Sequence, residues 1–224
     1  MSKRAVIVGW SHVPFGKLDD PDTESLMARV SGAALAHAGI GAGDVDGIYA
    51  GVMNSGFQKQ DFQAALVALA DPALAYVPAT RLENACATGS AALYAAMDFI
   101  EAGRGRVALV VGAEKMTARS TEDTGDILLN ASYRKEEATL PGGFAGVFSR
   151  IATAYFERHG DHGEALARIA AKNHANALDN PYAQIRKDLG FEFCNTVSDR
   201  NPYVPAPMPS GWRSPGSSTW VLSG

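Results

Sequence analysis

Residues 79–102 read ATRLENACATGSAALYAAMDFIEA, and the fold class is decided there. Residues 79–85 suit a strand, and the small residues after them lead into a helical pattern that runs to Ala102. Within it Ala91, Ala92, Ala95 and Ala96 leave almost no polar face until Asp98. A helix that is apolar all round is a buried helix, and small side chains let neighbouring backbones approach closely. The pattern therefore predicts this helix in the middle of a layered structure, with a further layer or a partner chain on its far side.

The flanking sequence extends the alternation in both directions. Residues 45–53 (VDGIYAGVM) read as a strand, 62–70 as a short helix, and 106–112 (RVALVVG) as another strand. At the amino end, residues 5–9 (AVIVG) form a short β-branched run of the kind buried on both faces of a parallel sheet. Asp20, Pro21 and Asp22 then supply, in order, an N-cap, a first-turn proline and an early acid. Leu26, Met27, Val30 and Ala34 follow at helical spacing, and Gly39 stops the helix. Four strands alternating with helices predict an α/β domain with a mostly parallel sheet flanked by helices.

After Lys115 the pattern changes to polar sequence and then to two helical stretches, 147–158 and 164–178, read as a helical insertion and not another strand–helix repeat. Residues 201–224 change again: they hold five of the eleven prolines, two of the three tryptophans and a single charged side chain, Arg213. The expected organisation is an α/β core at 1–114, a helical insertion at 115–200 lying over the sheet, and an aberrant or disordered Pro/Ser-rich tail at 201–224. Trp212 and Trp220 are uncommon in linkers, so a reading-frame accident is the expected origin of that tail.

With 224 residues the chain is long enough for one sizeable core, at about 150 residues per domain. Its net charge of −4 argues against a nucleic-acid partner. No apolar run approaches the roughly 18 residues of a spanning helix, so no membrane association is expected. Two cysteines are too few for a secreted disulfide scaffold, which points to the cytoplasm.

Candidate chemistry narrows quickly. Gly39, Gly41, Gly43 and Gly47 follow a helix and enter a strand, the reverse of a phosphate-binding fingerprint, so they read as a helix stop and a turn. His159 and His162 lack further ligands at metal-site spacing, and no metal is expected. His12 follows the first apolar run and reads as a loop residue. Cys86 stands where a strand gives way to a helix start, where backbone N–H groups and the helix dipole favour a thiolate and could bind an oxyanion. A small buried hydrophobe at a strand-to-helix junction is the competing reading of one cysteine alone. Cys194, beside Phe191 and Phe193, reads only as a packing residue.

Taken together, Val13-Pro14-Phe15-Gly16-Lys17, Asp44-Val45-Asp46-Gly47, Asn84-Ala85-Cys86-Ala87-Thr88-Gly89-Ser90, Gly112-Ala113-Glu114-Lys115-Met116, Lys172-Asn173-His174 and Asn180-Pro181-Tyr182-Ala183-Gln184 resemble the thiolase family. The branch is the one typified by the thiolase domain of sterol carrier protein x, and the likeness runs over residues 4–200. The resemblance implies two similar halves, each with a five-stranded mixed sheet, with the nucleophile helix in a shared middle layer. This chain matches the amino-terminal half only, the second half being absent. It further implies an acetyl-CoA C-acyltransferase of lipid metabolism and fatty-acid β-oxidation. Cys86 would be the acylated catalytic residue, Val147 and Phe148 acyl-chain contacts, and coenzyme A a co-substrate with no tightly bound cofactor. The implied partners are acyl-CoA, CoA, and either a second copy or a complementary half. The family's activating histidine and second cysteine have no counterpart motif, so a truncated form, inactive alone, is expected. A non-catalytic acyl-CoA-binding or assembly subunit and a ketosynthase-like condensing enzyme are the alternatives.

Overall fold

A computed structural model describes residues 4–198 and 200–201. It divides into two units, one of residues 4–13 and 17–120, the other of residues 14–16 and 121–201.

The first unit is built on a parallel sheet. Its leading helix, α1 (Thr23–Ala38), starts where the Asp22 carboxylate accepts the Ser25 N–H at 2.8 Å. Asp22 thus satisfies one of the amides that a helix start leaves without a partner. Asp20 has another task, an ion pair with Arg29 at 2.8 Å. The helix ends at Gly39, whose φ of 67° lies in the left-handed region that glycine adopts without a Cβ penalty.

Strand β1 (Gly47–Gly51) is central, with β2 (Ala79–Leu82) and β3 (Ala108–Gly112) parallel to it on either side. The register sets Ile48 beside Ala79 and Leu109. Asp46 fixes the entry to β3, since its carboxylate accepts the N–H groups of Arg106 at 2.6 Å and Val107 at 3.1 Å. Those two donors hold the Asp46 carboxyl below its usual range.

Alternation along β1 divides the two faces. Ile48, Ala50 and Val52 join the core with Met27 of α1, with Ala64 of α2 (Gln63–Leu66), and with Val67, Leu74, Leu109 and Val111. Gly47 and Gly51 face α3 (Thr88–Glu101), where a Cβ would come within 3.2 Å of Phe99 and 3.1 Å of Thr88. Glycine on that face is what lets the helix lie close to the sheet.

Several expectations need correction. Residues 5–9 form no strand: Val6 and Ile7 are each 76% exposed. The ends of the run are fastened, by Ala5 N–H to Glu101 and by Trp10 N–H to His37. A strand exists through its neighbour's N–H and C=O groups, and none of the described strands pairs with this run. The described sheet therefore has three strands instead of four, and each is shorter than its apolar pattern. The stretch 62–70 is one α-turn followed by a 3₁₀ segment, Val67–Ala70. Nor is α3 buried all round: Thr88, Ala92 and Ala96 make one buried stripe, while Tyr94 is 66% exposed. Its apolar character exceeds what this sheet can cover.

The second unit is helical. It contains α4 (Thr121–Leu128), α5 (Arg134–Glu137), α6 (Gly143–His159), α7 (Gly163–Ala177) and α8 (Gly190–Asn195). The two long helices match the two helical stretches read from sequence. Ala167 and Ala170 of α7 pack on Cys194, with Leu189, Phe191 and Phe193 around them. Asn201 closes α8, its amide donating to the Phe193 and Thr196 carbonyls at 2.9 Å each. The tail expected at 201–224 lies, beyond Asn201, outside the described residues. No helix among the described residues is long and apolar enough to cross a membrane.

Candidate active site

β2 ends at Leu82, and the chain then turns sharply to enter α3. Ala85 adopts φ of 44°, a left-handed conformation that costs a residue with a Cβ about 1–2 kcal/mol. Three interactions hold that conformation. Glu83 accepts the Ala85 N–H at 2.5 Å; Thr88 Oγ1 accepts the Asn84 N–H at 2.8 Å and donates to the Ala85 carbonyl at 2.7 Å. Ala87 N–H closes the turn on the Asn84 carbonyl at 2.9 Å. Cys86 is at the apex of this latched turn, exposed and not in a disulfide, immediately before the first turn of a 14-residue helix.

The small-hydrophobe reading of Cys86 does not fit an exposed thiol. It fits Cys194, which is buried, and whose thiol is pushed up by burial and then by the nearby Asp188. Of the two cysteines, the geometry offers Cys86 to an electrophile.

The carboxyl ends of the three strands carry a polar network to which the sequence pointed only through Glu114, as part of the Gly112–Met116 motif. Arg81 of β2 donates through Nε to the Val52 carbonyl at 2.9 Å and through Nη2 to the Met53 carbonyl at 2.7 Å. Its third contact is Asp61 at 3.4 Å. From the β3 side, Glu114 Oε2 accepts the N–H groups of Met53 at 3.0 Å and Asn54 at 3.2 Å. Burial raises the Glu114 carboxyl above its usual range, against the pull of those two N–H groups and the Arg81 charge. Met53, Asn54, Arg81 and Glu83 line an open hollow of about 610 Å³ at this edge. Open α/β sheets place ligands outside the carboxyl ends of their strands. The available sign was a lone arginine inside a strand and an acid directly after one.

His12 makes a 2.5 Å contact from Nδ1 to the Val13 carbonyl, a local loop bond. Val147 and Phe148 belong to the second unit, on α6; Val147 is buried there, and Phe148 is exposed and edge-on to Phe144 at 5.2 Å. His159 and His162 pack against Tyr155 with their rings tilted, centroids at 4.6 and 5.6 Å. No group of three or more metal-binding side chains converges among the described residues.

Comparison with known proteins supplies an independent line. The family described as thiolase, N-terminal domain, matches residues 5–189. An acetyl-CoA acetyltransferase of Methanocaldococcus jannaschii is 35% identical over 179 residues, 80% of this chain and 45% of that protein. Sterol carrier protein 2 of Gallus gallus is 29% identical over 199 residues, 84% of this chain and 35% of that protein. The chain thus spans less than half the length of either relative. Among solved structures, an acetyl-CoA acetyltransferase from Syntrophomonas wolfei superposes with a TM-score of 0.55 at 20% identity, covering 77% of this chain and 46% of its own, which shows a shared fold.

Proposed function

Since this chain belongs to the thiolase family, matching its N-terminal domain over residues 5–189, we propose that Cys86 is the nucleophile of an acyl transfer between a 3-ketoacyl-CoA and CoA. The observation that carries the reading is the exposed thiol on a latched turn at a helix start. In the forward direction the Cys86 sulfur attacks the keto carbon. The bond between that carbon and the acetyl-CoA carbon breaks, and the acetyl-CoA carbanion takes up a proton. The acyl group is left as a thioester on Cys86. CoA then gives up its thiol proton, attacks the thioester carbonyl and departs as the shortened acyl-CoA, freeing Cys86. The substrate class is that of fatty-acid β-oxidation, and coenzyme A is a co-substrate.

Two proton movements in this scheme need acid–base groups. Among the described residues, no hydrogen bond reaches the Cys86 sulfur. General acid–base assistance is typically worth about 10²–10⁴-fold, so Cys86, with the groups described around it, should accept acyl groups with little turnover. A complementary half or a second copy would supply the missing groups. In the second unit, Val147 and Phe148 are the side chains we assign to the acyl chain.

The test is direct: the chain is incubated with acetyl-CoA or acetoacetyl-CoA and the modified peptide is mapped by mass spectrometry. Label is expected on Cys86 and is abolished in Cys86→Ala. Label on Cys194 with none on Cys86 overturns the assignment, and CoA bound without any acyl-cysteine favours a non-catalytic acyl-CoA-binding role. Rapid cleavage of acetoacetyl-CoA by the chain alone overturns the expectation of little turnover.

A further inference from the structure

Cys86 is placed by its own turn and also by what that turn rests on. Gly51, the last residue of β1, lies under the start of α3: an added Cβ would be 3.1 Å from Thr88 Cγ2 and 3.2 Å from the Thr88 carbonyl oxygen. Thr88 in turn bonds the Asn84 N–H and the Ala85 carbonyl, just ahead of Cys86. The position of Cys86 is therefore set by where β1 ends.

What fixes that end is a grip from both flanking strands. Arg81 holds the carbonyls of Val52 and Met53, and Glu114 holds the N–H groups of Met53 and Asn54. The next two residues need such a grip, because Asn54 and Ser55 adopt φ of 54° and 44°, left-handed values unfavourable for residues with a Cβ. Asn54 secures the far side of the turn, donating to the Gln60 carbonyl at 3.1 Å and accepting the Gln58 N–H at 2.8 Å. Burial makes the Glu114 charge costly, and its two amide donors and the Arg81 charge offset part of that cost. A half-buried carboxylate that accepts two N–H groups from one turn, at the edge of the sheet where the nucleophile stands, is more than surface decoration.

We propose that Glu114 is a positioning residue for Cys86: by holding the turn at residues 52–54 it fixes the seat of Thr88, and so the turn that presents the thiol to an acyl thioester. The proposal rests on the reading of Cys86 as the acylated nucleophile.

The test uses the full chain with Glu114→Ala and Glu114→Gln, acetyl-CoA as acyl donor and iodoacetamide as a probe of thiol access. Glutamine is the informative control, because its Oε1 can accept the same two N–H groups that Glu114 Oε2 accepts. Acylation of Cys86 in Glu114→Ala is expected to fall about tenfold or more, with Glu114→Gln within about twofold of the parent, since acyl transfer depends on placement to within about an ångström. Iodoacetamide, which asks only for an accessible thiol, should label Cys86 at an unchanged rate in both variants. Merely unfolded protein would also expose Cys194, which should stay unlabelled. Acylation at the parent rate in Glu114→Ala overturns the proposal, as does a loss in Glu114→Gln as large as that in Glu114→Ala. If the parent takes no acyl group on Cys86, the nucleophile reading fails by itself. The grip is then judged by hydrogen exchange at the Met53 and Asn54 amides: faster exchange in the alanine variant alone supports it, and unchanged exchange overturns it.

Discussion

Residues 5–9 read AVIVG and Ala108–Gly112 reads ALVVG, yet the two runs end in opposite environments. The second is β3, paired with β1 along its length, with Leu109 and Val111 buried. The first has no strand partner among the described residues, and Val6, Ile7 and Val8 face solvent. Intrinsic preference and hydrophobicity are the same in both. The difference is a neighbour: β3 runs alongside β1, with its entry tied to Asp46, whereas 5–9 is held at its ends and by contact with α1. Apolar runs of this kind state what could be buried, and pairing decides what is buried.

The sharpest way to break this comparison is one substitution made in both environments. Ile48→Ala, in the core of β1 at 1% exposed, should lower unfolding free energy by about 2–5 kcal/mol. Ile7→Ala, at 76% exposed, should change it by no more than about 0.5 kcal/mol. Urea unfolding of both variants decides it, and similar losses would mean that the amino-terminal run is buried after all.

A smaller effect separates the closing glycines of the two runs. A Cβ on Gly9 would stand 2.6 Å from Ala38 Cβ and 2.8 Å from the Ala34 carbonyl oxygen, whereas one on Gly112 meets nothing nearer than 3.9 Å. Gly9→Ala should therefore cost about 1–3 kcal/mol through overpacking against α1. Gly112→Ala should be close to neutral in the same measurement. A neutral Gly9→Ala would show that the first run does not rest on α1.

The helix on which that run rests has its own test. Asp22→Ala removes the α1 N-cap, worth about 1 kcal/mol. The Asp22 carboxyl is held below 3.8, first by the Ser25 hydroxyl and then by the Ser25 N–H. A depressed carboxyl contributes stability above its unfolded value and loses it as pH falls through the folded one. The gap between parent and Asp22→Ala should accordingly be constant at neutral pH and close in acid below 3.8.

The smallest effect belongs to the residues just past each run: Trp10 and Ser11 after the first, Ala113 and Glu114 after the second. Burial raises the folded Glu114 carboxyl above 4.5, so between 4.5 and that raised value the native state holds more protons than the unfolded state. Stability from this group then falls as pH rises through the window. Glu114→Gln cannot titrate, so the parent should lose stability relative to it across the same window. Thermal melts of the pair from pH 4 upward would show the trend, and parallel pH profiles would contradict it.

Part of the site could be read from residue order. Cys86 stood out because a strand pattern, a run of small residues and a helical pattern meet there. The link between Arg81 and Glu114 did not, although Glu114 belongs to the Gly112–Met116 motif, because spacing does not bring them together: one is inside a strand and the other 28 positions beyond Cys86. They act together only because β2 and β3 flank β1, an arrangement set by long-range pairing.

The sequence by itself determined the α/β class, the capped α1, the strand–turn–helix around Cys86 and the two long helices of the second unit. These rest on local signals: periodicity, caps and turn residues within a few positions of one another. Only the tertiary structure decided which apolar runs became strands, which stripe of α3 is buried, and that Glu114 and Arg81 grip the same turn. Each of those depends on groups brought together from distant parts of the chain, and a backbone donor or a buried face has no meaning until its partner is in place.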